Sequence, residues 1–254
     1  MLPTSHPGGP NGPAFVQPLY TPIKRRSFFM YAGATAGATA LVLAGCTKDA
    51  ATPVIDSGPI SLGTGDASVL NYAYALEQLE AAFYAKVSAA LPATTGLSAT
   101  ETAYFTQVAA HEAIHRDFLK AAIVRDFAGK LLRDLTPNFD NIDFTKRVKL
   151  ATDTKLGILD AAKAFEDLGV AAYNGVAKLI KAPAYLVIAG QIVSVEARHA
   201  AYVRDLITPG SFAADDQVDP TTGLDKQLSP VAVIAIAQAF IDPKQQLDAS
   251  TVGQ

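Results

Sequence analysis

The chain reads as an all-α protein: a four-helix bundle of two antiparallel hairpins joined by a long crossover, followed by a short C-terminal helix. Three observations predict this. Apolar residues recur at alternating steps of three and four through four long segments between residues 66 and 207, where Pro and Gly are sparse. The links within the first and last pairs of segments are short, which makes the partners antiparallel neighbours. The link between the pairs runs to about 28 residues, enough to travel the length of a bundle roughly 35 Å tall.

The first helix is expected from about Asp66, a candidate N-cap, to Ala90. About seven residues around Pro92 then lead to Ser98-Ala99-Thr100-Glu101, which has the form of a capping box and opens a second helix to about Val124. After the crossover, with Pro137 and Asn138, a third helix covers about 153–180. The fourth opens at Pro183, suited to a first helical turn, and ends before Pro209. Within the C-terminal extension, 208–254, the apolar stretch from Pro230 to Ile241 reads as a short helix packed on the outside.

The 254 residues are half apolar, which suffices for one domain with a continuous core. The net charge is -3, but Lys24, Arg25 and Arg26 are the only charged side chains before residue 46, so the remainder carries -6. No basic patch points to nucleic acid. Residues 1–45 read as an export signal, because Arg25-Arg26-Ser27-Phe28-Phe29 resembles a twin-arginine signal and Leu43-Ala44-Gly45-Cys46 resembles a bacterial lipobox. Met30 to Leu43 is shorter than the roughly 20 residues of a spanning helix. The resemblance implies that Cys46, the one cysteine, becomes the first mature residue and carries a lipid, anchoring the protein to a bacterial membrane in the cell envelope, at the periplasm or the cell surface. Residues 46–65, with Pro53 and Pro59, read as a flexible tether. There is no disulfide framework and no thiolate metal site.

The two hairpins look like a diverged repeat. Glu77 and Tyr84 in the first helix match Glu166 and Tyr173 in the third, each Glu seven residues before its Tyr. Glu112-Ala113-Ile114-His115 follows 35 residues after Glu77, and Glu196-Ala197-Arg198-His199 follows 30 after Glu166. All six residues lie on core stripes. In the second helix the stripe is Phe105, Val108, Glu112, His115, Leu119, Ala122, and in the fourth it is Ala189, Ile192, Glu196, His199, Val203, Leu206.

Burying one unpaired carboxylate costs several kcal/mol, so four in one core require cations or protons. The stripes carry no matching Lys or Arg. Two divalent ions balance four glutamates in formal charge, and the imidazole ligands suit Fe or Mn better than Mg. Glu80, one turn beyond Glu77, is an alternative first-helix ligand, although its counterpart in the repeat is Gly169. Tyr84 and Tyr173 share faces with the glutamates and are candidates to hydrogen-bond them; the ordinary reading is core aromatics. His111, about 40° around the helix from His115, reads equally as a residue behind the ligands or as a surface histidine.

His111-Glu112-x-x-His115 also spells a zinc-protease motif. Against that reading stand the charged Arg116, the second Glu-x-x-His left unexplained, and the lack of a strand to position a peptide.

Leu76-Glu77-Gln78-Leu79-Glu80-Ala81-Ala82-Phe83-Tyr84, His111-Glu112-Ala113-Ile114-His115, Phe165-Glu166-Asp167-Leu168-Gly169 and Val195-Glu196-Ala197-Arg198-His199 together resemble the ferritin-like superfamily. Within it, the chain is similar to ferritin-like domain proteins that include exported bacterial and plant desiccation-related members. The resemblance spans roughly 66–207. It implies that Glu112 and Glu196 bridge two metal ions, with Glu77 and His115 completing one position and Glu166 and His199 the other. It implies a metal site more firmly than a reaction: Fe(II) oxidation, or turnover of O2 or peroxide, is the leading expectation. The alternatives are a stress-protective or structural bundle with at most a structural metal, and a storage cage, which the lipid tether and the long extension disfavour.

Overall fold

A computed structural model describes residues 58–254 apart from 92, 93 and 95. The export signal, Cys46 and the tether up to residue 57 lie outside the described residues. Among the described residues, five α-helices follow one another: α1 (Gly65–Ala90), α2 (Ala99–Asp126), α3 (Ile158–Val176), α4 (Pro183–Ile207) and α5 (Pro230–Ala237). α1 packs along α2, α3 along α4, the two pairs meet along α1 and α3, and α5 lies on α3. This is the all-helical arrangement of two hairpins that the periodicity predicts. Among the described residues, no helix is long and apolar enough to cross a membrane.

The helix ends show where local rules hold and where packing overrides them. The capping box is present at α2: Ser98 Oγ accepts the Glu101 amide at 3.2 Å, and Glu101 returns a carboxylate to the Ser98 amide at 2.7 Å. The same carboxylate pairs with Arg147 of the crossover at 2.7 Å.

Two expected boundaries are corrected. Asp66 is not the N-cap of α1; Thr64 holds that position, and the Asp66 carboxylate accepts the amides of Lys181 and Ala182, both at 2.8 Å. Ala182 precedes α4 with no side chain able to cap it, so an acid from another helix meets the need. The third helix starts at Ile158 rather than near 153. Before it, the chain folds back on the crossover, with Asp143 N donating to Leu156 O at 2.8 Å and Leu156 N to Asn141 O at 2.9 Å. Gly157 then passes so close to Val148 that a Cβ there would lie 2.6 Å from its backbone.

α1 and α3 are buried on nearly all sides, whereas α2 and α4 keep one face open. The crossover covers α1, where Asn71 binds the Lys130 carbonyl at 2.7 Å and the Leu132 amide at 2.9 Å, and Gln78 binds the Leu135 amide at 2.8 Å. The C-terminal extension covers α3. The Phe240 ring packs against Phe165 with centroids 4.6 Å apart, and Leu228 N donates to Ala171 O at 3.0 Å. Arg204 of α4, only 3% exposed, forms paired hydrogen bonds to Asp167 of α3 and to Asp216 of the extension. Near its end the chain forms β2 (Leu247–Asp248), which pairs in parallel with β1 (Ile60–Ser61). The described end of the segment read as a tether is therefore packed, with Leu62 buried.

Candidate metal centre

Each long helix contributes one glutamate to the Glu/His groups, and α2 and α4 add a histidine one turn later. Glu77, Glu112, Glu166 and Glu196 are all 0% exposed. His115 Nδ1 lies 3.3 Å from Glu112 Oε2, 2.9 Å from Glu196 Oε1 and 3.7 Å from Glu77 Oε2. His199 Nδ1 lies 3.0 Å from Glu112 Oε1, 3.9 Å from Glu196 Oε2 and 3.4 Å from Glu166 Oε2. Glu112 and Glu196 thus turn one oxygen to each histidine. Two overlapping groups result, Glu77, Glu112, His115, Glu196 and Glu112, Glu166, Glu196, His199, with the ligand atoms of each within 4.8 Å of one another.

The remaining oxygens are held by the two tyrosines. Tyr173 donates to Glu77 Oε1 at 2.6 Å, and Tyr84 donates to Glu166 Oε1. The tyrosines therefore bind the glutamates, and each serves the opposite hairpin. The reason is geometric. α1 and α3 run antiparallel with the same seven-residue spacing, so the glutamate of one falls level with the tyrosine of the other.

What is left points inward. Both oxygens of Glu112 and of Glu196, Oε2 of Glu77 and of Glu166, and Nδ1 of each histidine are buried without a partner in hydrogen-bond geometry. Such atoms are costly unless a cation or protons serve them. The donor set, carboxylate and imidazole without thiolate, fits two hard-to-borderline divalent ions at four ligands each.

The protonation equilibria express the same crowding. Burial drives the carboxyls of Glu77, Glu166 and Glu196 above the ordinary range, and neighbouring carboxylates add to it. Glu112 goes the other way, because the two imidazoles facing it outweigh its burial. Burial alone would lower the histidines, but the carboxylates win, and His115 is pushed up to about 12 and His199 to about 10. Tyr84 and Tyr173, raised by burial and by their glutamates, stay protonated donors.

Glu80 is buried beside the centre but belongs to neither group. His111 is exposed, yet its Nδ1 lies 3.0 Å from Nε2 of His199, and the rings stack 5.2 Å apart. Tyr104, not singled out from the sequence, donates to the His199 carbonyl at 3.1 Å and packs on Tyr202 at 4.7 Å. Its signal was available: it precedes His111 by seven residues and so shares that face of α2. An open recess of about 380 Å³ between α2 and α4 is lined by Tyr104, Gln107, Arg198, His199 and Tyr202 among others, so His199 forms part of its wall. A larger cavity of about 590 Å³, between residues 58–64 and 129–133, touches none of these side chains.

A family model described as a ferritin-like domain matches residues 65–209, more than half of the chain. No curated protein matches the sequence.

Proposed function

The chain belongs to the ferritin-like domain family, and from that premise we propose that it is an exported, lipid-anchored protein whose bundle holds a dinuclear Fe or Mn centre that oxidises Fe(II) or turns over O2 or peroxide. One observation carries the reading: eight buried ligand atoms, four toward each position, converge without other partners. Glu112 and Glu196 would bridge the ions. Glu77 with His115 would complete one position, and Glu166 with His199 the other.

When bound, a pair of redox-active ions supplies two electrons to a small oxidant such as O2 or peroxide. The protein's own groups set the conditions for that chemistry. Tyr84 and Tyr173 fix the orientation of Glu166 and Glu77, so the inward oxygens stay aimed at the ions. His111 orients the ring of His199 from outside. The buried walls of α1 and α3 exclude bulk water, while the recess beside Tyr104 and His199 admits molecules of small size.

Metal analysis of protein from its native host tests the proposal, with two Fe or Mn per chain expected. Anaerobic Fe(II) addition followed by O2 or peroxide should change the absorption spectrum and consume the oxidant. A chain that retains metal but consumes neither belongs to the alternative class, a stress-protective bundle with a structural metal. The export part of the proposal predicts a lipid-modified Cys46 by mass spectrometry and release of the Cys46→Ala protein from membranes.

A further inference from the structure

Glu80 is the buried acid that the dinuclear reading leaves unused. It is 3% exposed, and it lies one turn beyond Glu77 on α1. Both histidines are engaged with the other four glutamates, and no ion pair among the described residues includes Glu80. An alanine or leucine would fill a core position without the cost of desolvating a carboxyl. The structure also keeps room for it. A Cβ built on Gly169 of α3 would lie 3.0 Å from Glu80 Oε1 and 3.8 Å from Glu196 Oε2. The missing side chain on α3 is thus the space into which Glu80 projects, and that space opens on one of the two shared carboxylates. The repeat places Gly169 where Glu80 would recur, so the centre has this fifth carboxyl on one side only.

We infer that Glu80 is a reserve ligand that joins the centre when its ions are trivalent, an inference that rests on the dinuclear reading above. Charge supplies the reason. Four carboxylates neutralise two divalent ions but leave two trivalent ions with two positive charges unmatched in a poorly solvated interior. On binding, a metal–oxygen bond would form at the Glu80 carboxylate, and any proton the carboxyl carries would pass to water. Rotation of the side chain in the space beside Gly169 is the movement required. A centre built this way holds its oxidised ions more firmly than four glutamates alone allow, with no change in how it first takes up divalent metal.

The test compares redox-inert ions on the full chain: Mn(II) by titration calorimetry and Ga(III) by competition with nitrilotriacetate. Glu80→Gln should leave Mn(II) affinity within about threefold and weaken Ga(III) retention by about tenfold or more. Gly169→Ala, which crowds the Glu80 carboxyl while leaving all the other glutamates in place, should shift Ga(III) retention in the same direction and serves if Glu80→Gln fails to fold. Glu77→Gln is the control and should weaken both ions. Equal Ga(III) retention in wild type and Glu80→Gln overturns the inference, as does equal weakening of both ions in a variant that melts like wild type. A wild type that binds neither ion overturns the dinuclear reading itself, and the inference with it.

Discussion

In one half of the centre Glu77 and His115 face the shared pair Glu112 and Glu196; in the other, Glu166 and His199 face the same pair. The repeated parts (Glu, Tyr seven residues on, Glu-x-x-His) build a frame close to two-fold symmetric, in which each tyrosine steadies the glutamate of the other hairpin. The unrepeated parts break it. Behind His199 stand His111 on its outer nitrogen and Tyr104 on its carbonyl. The repeat puts Val195 where the second half would need its own His111, and a valine offers no hydrogen bond. Glu80 against Gly169 is the same kind of difference. The comparison teaches that, on the dinuclear proposal, the symmetric residues would define two ion positions, and the asymmetric ones would make those positions chemically unequal.

Removing a shared residue should break the comparison most completely. Glu112→Ala or Glu196→Ala takes a ligand from both positions, so metal content should fall toward zero, whereas Glu77→Ala or Glu166→Ala should leave one half with its full set. Elemental analysis of the purified variants distinguishes the two patterns. Equal losses in all four variants would mean that the halves are not separable.

Acid should act on both halves together. The carboxylates hold the metal-free histidines protonated far above neutrality, with His199 at about 10 and His115 at about 12. Divalent metal must displace those protons, so affinity falls as pH falls, by roughly tenfold per pH unit for each proton displaced. Calorimetric titrations in buffers of different ionisation heat should register proton release on binding. Uptake independent of pH between 5 and 8 would contradict the protonated imidazoles.

The tyrosines sharpen the exchange between hairpins. Tyr84→Phe leaves Glu166 Oε1 buried and unpaired, a cost of about 1–3 kcal/mol in stability, and should lower metal affinity in the Glu166 half by about tenfold. Tyr173→Phe should do the same to the Glu77 half. Thermal melts and Mn(II) electron paramagnetic resonance of singly loaded protein report the two effects.

The smallest effect is expected at His111. His111→Ala removes the outer partner of His199 alone, so only the Glu166 half should change, by less than about tenfold in affinity. A change in the spectroscopic signature of both halves would place His111 in a different role.

Much of this centre was legible before any coordinates. Glu and His at core positions with no basic partners call for cations or protons, and the repeat favoured Glu77 over Glu80 as the α1 counterpart of Glu166. The capping box at Ser98 was legible because it depends on four consecutive residues. Asp66 was misassigned for the opposite reason: the groups it serves, Lys181 and Ala182, are distant in sequence, and nothing local announces them. The late start of α3 was hidden in the same way, since residues 153–156 have no strong preference of their own and follow the crossover they fold against.

Sequence alone therefore determined the elements, the faces and the donor set, because helical periodicity assigns each side chain to a side of its own helix. Tertiary structure decided which faces meet. The crossing of Tyr84 and Tyr173, the place of Glu77 in the Glu/His groups with Glu80 set beside Gly169, the support of His199 by His111, and the closure of the C-terminal extension over α3 all depend on rotation and register between helices. Those are fixed by packing between residues far apart in the chain, where periodicity carries no information.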